Sequence, residues 1–202
     1  MANFITPAEL IRRLAGEDYR PLVDAYILRG TPYVFKESPV RYDTLRHELS
    51  RYLDVRETNL VLVGSARTGF SLSPDNFGRP FRDDSDLDMA VVSARLFDSV
   101  WLDLLHLTPR RRAALTDQVE KYVQEHRTYR IFYGRAEPHR LVGAATLTGK
   151  WFKAFRSVGR IPELSRHQIH GMLFRTWEHA KLYYIYGLRQ VTAQLSKRRT
   201  IP

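Results

Sequence analysis

Apolar positions fall into helical spacing at the start of the chain, into short solid runs in its middle, and into a long stripe at its end. Thr6-Pro7-Ala8-Glu9 supplies an N-cap, a proline at the first helical position and an acid in the first turn, ahead of Leu10, Ile11 and Leu14. A second helix is expected over 19–28, ending at Arg29-Gly30. A third is expected over about 41–53, where Leu45, Leu49 and Leu53 recur at i, i+4, i+8. The spacing then changes. Residues 59–63 are an apolar run stopped by Gly64-Ser65, which predicts a buried strand. Turn formers crowd 71–85 and predict a loop. A second strand is expected over 86–92, its first residues alternating acid and apolar. Helix is expected over 97–107, and Thr108-Pro109 predicts the start of a longer helix running to about 126. Residues 128–133 read as a third strand by their β-rich composition. The last segment reads as helix throughout. Ser165 and Gln168 form a capping box, and Ile169, Leu173, Trp177, Ala180, Tyr184, Leu188, Val191 and Leu195 follow at spacings of three or four. That stripe predicts one amphipathic helix of about thirty residues, which Gly171 and Gly187 each weaken by about 1 kcal/mol.

These elements predict an α/β (α+β) chain: a small mixed sheet flanked by N-terminal helices and a long C-terminal helix. Three segments follow. Residues 1–54 form an N-terminal helical segment, 55–135 the α/β core, and 136–202 a basic helical segment. The 202 residues, 44% apolar, support a hydrophobic core, and the longest apolar runs fall far short of a membrane span. The first residues lack the basic-then-apolar layout of a secretory signal. With no cysteine, thiolate metal sites, disulfides and cysteine catalysis are excluded. A reducing compartment, the cytoplasm, is the expectation.

Charge changes the picture. The net value of +10 is unevenly placed: residues 1–108 carry 13 Lys/Arg against 16 Asp/Glu, and residues 109–202 carry 19 against 6. An anionic partner such as RNA or a nucleotide is expected for the second half. Its candidate contacts are Arg110, Arg111 and Arg112 at a helix start, and Lys150, Lys153 and Arg156, interleaved with Trp151, Phe152 and Phe155. In each case a solvated helix face is the competing reading. The aromatic-rich last helix is expected to bury two sides, within the chain or against a protein partner or second copy.

The informative feature is Gly64-Ser65 closing one strand and Asp86-Leu87-Asp88 opening the next. Residues two apart on a strand face the same way, about 6–7 Å apart at their α-carbons. Two anions so placed repel by roughly 2.5 kcal/mol at an effective dielectric near 20, so a cation between them is expected. Oxygen donors of this kind suit Mg²⁺ or Mn²⁺, which also bind phosphates. The Gly-Ser turn adds backbone N–H groups and a hydroxyl that favour phosphate oxygens.

The stretch Val63-Gly-Ser-Ala-Arg-Thr-Gly-Phe70, followed by Ser85-Asp-Leu-Asp-Met-Ala-Val91, resembles the signature of the DNA polymerase β-like nucleotidyltransferase superfamily. The resemblance covers about residues 59–93. It implies that Gly64, Ser65 and Arg67 contact the triphosphate of an NTP and that Asp86 and Asp88 bind metal. The implied reaction is transfer of a nucleoside monophosphate to a hydroxyl of RNA, a nucleotide or a protein. Two departures accompany it. Twenty residues separate Ser65 from Asp86, so 71–83 resembles an inserted loop, carrying Arg79 and Arg82. Active members also bring a third carboxylate from a following strand, and 128–133 contains no acid. Glu137, just beyond it, is a weak substitute, and Asp98 and Asp103 are expected on a helix. The alternative is therefore a catalytically degenerate subunit that binds nucleotide, nucleic acid or a protein partner. Small bacterial members often occur in toxin–antitoxin or phage-defence modules. A simple nucleic-acid-binding module, with a structural acidic pair, is the third reading. Gly143–Lys150 is no P-loop, since five residues separate its glycines and Trp151 replaces the Ser or Thr. His167 and His170 read as a solvated or hydrogen-bonded pair on a helix.

Overall fold

A computed structural model describes residues 4–159 and 167–200, with side chains to Lys197. Ser165 of the expected capping box lies outside the described residues. The fold is mixed α+β. Around one four-stranded sheet the chain runs α1 (Pro7–Leu14), α2 (Tyr19–Val23), α3 (Pro39–Leu53), β1 (Leu60–Val63), α4 (Gly64–Thr68), β2 (Leu87–Val92), α5 (Ala94–Leu105), α6 (Pro109–Ala113), α7 (Asp117–Glu125), β3 (Arg135–Ala136), α8 (Leu147–Val158), β4 (Ile169–Phe174) and α9 (Trp177–Thr200).

The N-terminal helices form where their caps are written. The Thr6 hydroxyl accepts from the Glu9 N–H, and the Asp18 carboxylate accepts from the Arg20 N–H. A π-helical turn, Asp24–Leu28, extends α2 to the expected end. On α3 the leucines at 45, 49 and 53 are fully buried, and Asp54, in the left-handed region, ends the helix.

The strand order is β1-β2-β4-β3. β1 and β2 are antiparallel, β2 and β4 parallel, β4 and β3 antiparallel. Alternation divides the sheet into two faces. Leu60, Leu62, Leu87, Met89, Val91 and Leu173 join one core with α3, α5 and α8. Val61, Val63, Ala90, Val92 and Phe174 join a second core with α1, α2 and α9.

Three expectations are corrected. Residues 169–174 are strand β4, and the last helix begins only at Trp177. The 3–4 stripe through Ile169 and Leu173 is also consistent with a strand, and Gly171 is required there: a Cβ would lie 2.3 Å from Phe155 and 2.5 Å from Trp151. Residues 128–133 are not a strand. They lie in a π-helical turn, His126–Arg130, and the turn after it, where the His126 imidazole hydrogen-bonds the Tyr122 carbonyl (2.6 Å). The edge strand is Arg135–Ala136 instead. The helix expected over 109–126 is broken, because the Thr116 hydroxyl caps a new helix by accepting from the Val119 N–H.

Loop 71–83 is folded against α9. Ser71 and Arg79 share a backbone hydrogen bond, Phe70 stacks edge-on with Phe77, and the Gln194 amide reaches Asp75 (3.4 Å). No helix among the described residues is long and apolar enough to cross a membrane.

Candidate functional site

The β1–β2 register places Val63 opposite Asp88. The turn that follows Val63 therefore folds over the Asp88 carboxylate. Gly64 has φ +64°, and a Cβ there would stand 3.0 Å from Asp88 Oδ2. Both the backbone conformation and the carboxylate explain the glycine. Ser65 follows, partly exposed, in the first turn of α4. Asp86 precedes β2, and Asp88 is its second residue; both are exposed at one end of the sheet. Ser85 locks this entry: its hydroxyl accepts from the Arg82 N–H (3.0 Å), and its carbonyl accepts from His167 Nδ1 (2.8 Å).

The neighbouring strand supplies what sequence spacing missed. Asp88 pairs with His170 across the parallel β2–β4 ladder, so both side chains leave the same face. His170 Nε2 stands 3.9 Å from Asp86 Oδ2. The His139 ring lies 5.9 Å from that of His170, and its Nδ1 is buried without a partner. Tyr184 of α9 comes within electrostatic reach of Asp88.

The electrostatics of the site follow from its packing and its neighbouring charges. Crowding by protein raises the Asp88 carboxyl, His170 draws it down, and Asp86 raises it further. Burial, then Tyr183, then Asp88 hold the Tyr184 phenol well above its usual value. His139 is lowered, chiefly by burial. Asp88 has no ion pair or hydrogen bond among the described residues.

The other predicted residues divide. Arg67 does not reach the carboxylates. It is buried, and its guanidinium donates to the carbonyls of Thr31 (2.8 Å), Ala25 (3.3 Å) and Arg29. Its place as a triphosphate contact is therefore corrected: it ties α4 to the π-helical turn Asp24–Leu28 and the residues that follow it. Glu137 is no substitute third acid. It is buried between Arg130 and Arg140 Nε (2.7 Å). Asp98 pairs with Arg175 (2.9 Å), and Asp103 accepts from both the N–H and hydroxyl of Thr146 (2.7 Å each).

Lys150, Lys153 and Arg156 are exposed along α8, where Phe152 is exposed and Trp151 and Phe155 are core. Because Gly171 meets Trp151 and Phe155, α8 covers the sheet face opposite His170 and Asp88. These cations are not brought to the acidic pair. Arg110, Arg111 and Arg112 lie on exposed α6; Arg112 pairs with Glu120, and Arg111 donates to the Gly143 carbonyl (3.3 Å).

The fit to a metal is specific. No group of three or more carboxylate or imidazole side chains among the described residues gathers to hold an ion. Mg²⁺ is commonly held by one or two carboxylates together with substrate phosphates. The Asp86–Asp88 pair therefore fits one ion shared with a phosphate, and does not fit two ions caged by protein. Models of known protein families do not match this chain, and neither curated proteins nor solved structures yield a match.

Proposed function

We propose that this end of the sheet binds a nucleoside triphosphate with Mg²⁺ or Mn²⁺ and transfers its nucleoside monophosphate to a hydroxyl. Asp86 and Asp88 would hold the ion. The Gly64–Ser65 backbone and the Ser65 hydroxyl would meet the phosphates. The ion supplies charge neutralisation of the leaving pyrophosphate. One observation carries the reading: the Val63–Asp88 pairing sets a glycine turn directly against Asp88, and among the described residues neither Asp88 nor Asp86 has an arginine or lysine partner. The acceptor, whether RNA, a nucleotide or a protein, would approach past Arg79 and Arg82 on the loop leading to Asp86. An RNA acceptor would extend to Lys150, Lys153, Arg156 and Arg110 only by passing round the sheet. The absence of cysteine suits the cytoplasm.

A specific observation favours a second reading. His170, and no carboxylate, faces Asp88 from the adjacent strand, and Glu137, Asp98 and Asp103 are all engaged elsewhere. A subunit that binds nucleotide without transferring it would look like this. Incubation with each labelled NTP, Mg²⁺ or Mn²⁺, and total RNA or protein separates the two. Label transfer abolished by Asp86→Ala with Asp88→Ala supports transfer. Transfer that survives the double change refutes the site, and nucleotide binding without transfer establishes the second reading.

A further inference from the structure

A cavity of about 500 Å³ opens between the π-helical turn Asp24–Leu28, α3, β1 and the start of α9. Its size is that of a small-molecule site. Three cations line it, Arg29, Arg46 and Lys181, against one carboxylate, Asp24. Lys181 is tied to Asp24 (2.8 Å), and Arg46 to Asp43 outside the cavity (2.5 Å). Arg29 is exposed and has no carboxylate partner among the described residues. The lining therefore keeps a positive excess.

Two donors there are unspent. Arg46 Nε is buried without a hydrogen-bond partner. Tyr42 accepts from the Leu62 N–H (3.1 Å), which leaves its phenolic O–H free to donate, and the ring is 5% exposed. Burial raises the Tyr42 phenol, so it keeps that proton. Such groups carry a cost unless something accepts from them. An anion rich in acceptor oxygens meets all of these donors.

A phosphate alone fills a small part of such a volume. The remaining wall includes the half-buried indole of Trp177 on α9, a surface for a planar ring. We propose that this cavity binds a small phosphate ester bearing a planar ring, of the nucleoside monophosphate class. Arg29 and Arg46 hold the phosphate, Tyr42 donates to it, and Trp177 packs on the ring. This site is separate from Asp86 and Asp88 and needs no metal.

The test is calorimetric titration of the full chain with AMP in the presence of EDTA, with adenosine and inorganic phosphate as companion probes. AMP is expected to bind saturably and at least tenfold more tightly than either probe. Arg29→Ala, an exposed position, is expected to keep the unliganded melting temperature and to weaken AMP at least fivefold. Arg46→Met is expected to weaken it further. Asp86→Asn with Asp88→Asn is expected to leave it unchanged, which separates this site from the proposed transfer site. Failure of AMP to saturate overturns the proposal. So does inorganic phosphate binding as tightly as AMP, indifference to both arginine changes, or loss of binding in the aspartate variant.

Discussion

Glu137 and the Asp86–Asp88 pair are both acidic, yet the chain treats them in opposite ways. Glu137 is buried between Arg130 and Arg140, its own N–H donating to His126 Nε2 (3.0 Å). Among the described residues Asp86 has only His170, at 3.9 Å, and Asp88 has no counter-ion. This occurs in a chain with 32 lysines and arginines. A carboxylate that serves the fold receives its arginines. The pair at the sheet end receives none among the described residues, as the proposed cation site requires.

The sharpest way to break that contrast is to remove each acid. Glu137→Gln takes the anion from Arg140 and one of two from the largely buried Arg130, which keeps Glu125 (3.0 Å), and is expected to cost about 3 kcal/mol in urea unfolding. Asp86→Asn with Asp88→Asn is expected to cost nothing measurable. An equal loss in both would erase the distinction.

His126 sharpens the Glu137 side. It is fully buried, and burial lowers its pKa to about 4. The unfolded chain takes up the proton first, so the stabilisation is complete above about pH 6.5 and is lost as pH falls towards 4. About 3 kcal/mol is expected to disappear across that window, and His126→Gln is expected to flatten the profile.

Arg67→Met comes next. Removing donors from three carbonyls at a buried site is expected to cost about 2 kcal/mol in the same unfolding assay. The gain in ATP affinity on adding Mg²⁺, measured with the AMP cavity saturated, is expected to stay unchanged, since the Arg67 guanidinium donates to backbone carbonyls and not to the carboxylates.

The smallest effect belongs to Asp88. Its carboxyl is raised in the folded state, so stability falls as pH rises from its unfolded value through its folded one. Asp88→Asn is expected to remove that slope, and a bound divalent ion to reverse it. A slope that Asp88→Asn does not alter would show that its surroundings do not disfavour the charge.

The contrast also marks what could be read from the sequence. Caps and leucine spacings on α1 to α3 are local, so those helices were legible. The glycine turn and acidic pair were legible too, because each is written in contiguous residues. His170 was not. Its role needs a parallel pairing between residues some eighty apart, and Ile169–Phe174 fits both a helical stripe and a strand. The break at Thr116 was written in the sequence as a Thr-Asp start with Glu120 in the first turn, but the apolar spacing on both sides masked it. Arg67 misled because sequence adjacency to Ser65 says nothing of direction, and three carbonyls on another segment capture its guanidinium.

The central claim is that Asp86 and Asp88 form half of a cation site that a nucleotide's phosphates complete. Calorimetric titration of ATP with and without Mg²⁺ tests it most directly, on the wild type and on Asp86→Asn with Asp88→Asn. With the AMP cavity saturated, ATP is expected to bind the wild type at least tenfold more tightly with Mg²⁺ than without, and that gain is expected to vanish in the double variant. Mg²⁺-independent ATP binding, or a Mg²⁺ gain that survives both substitutions, would contradict the account.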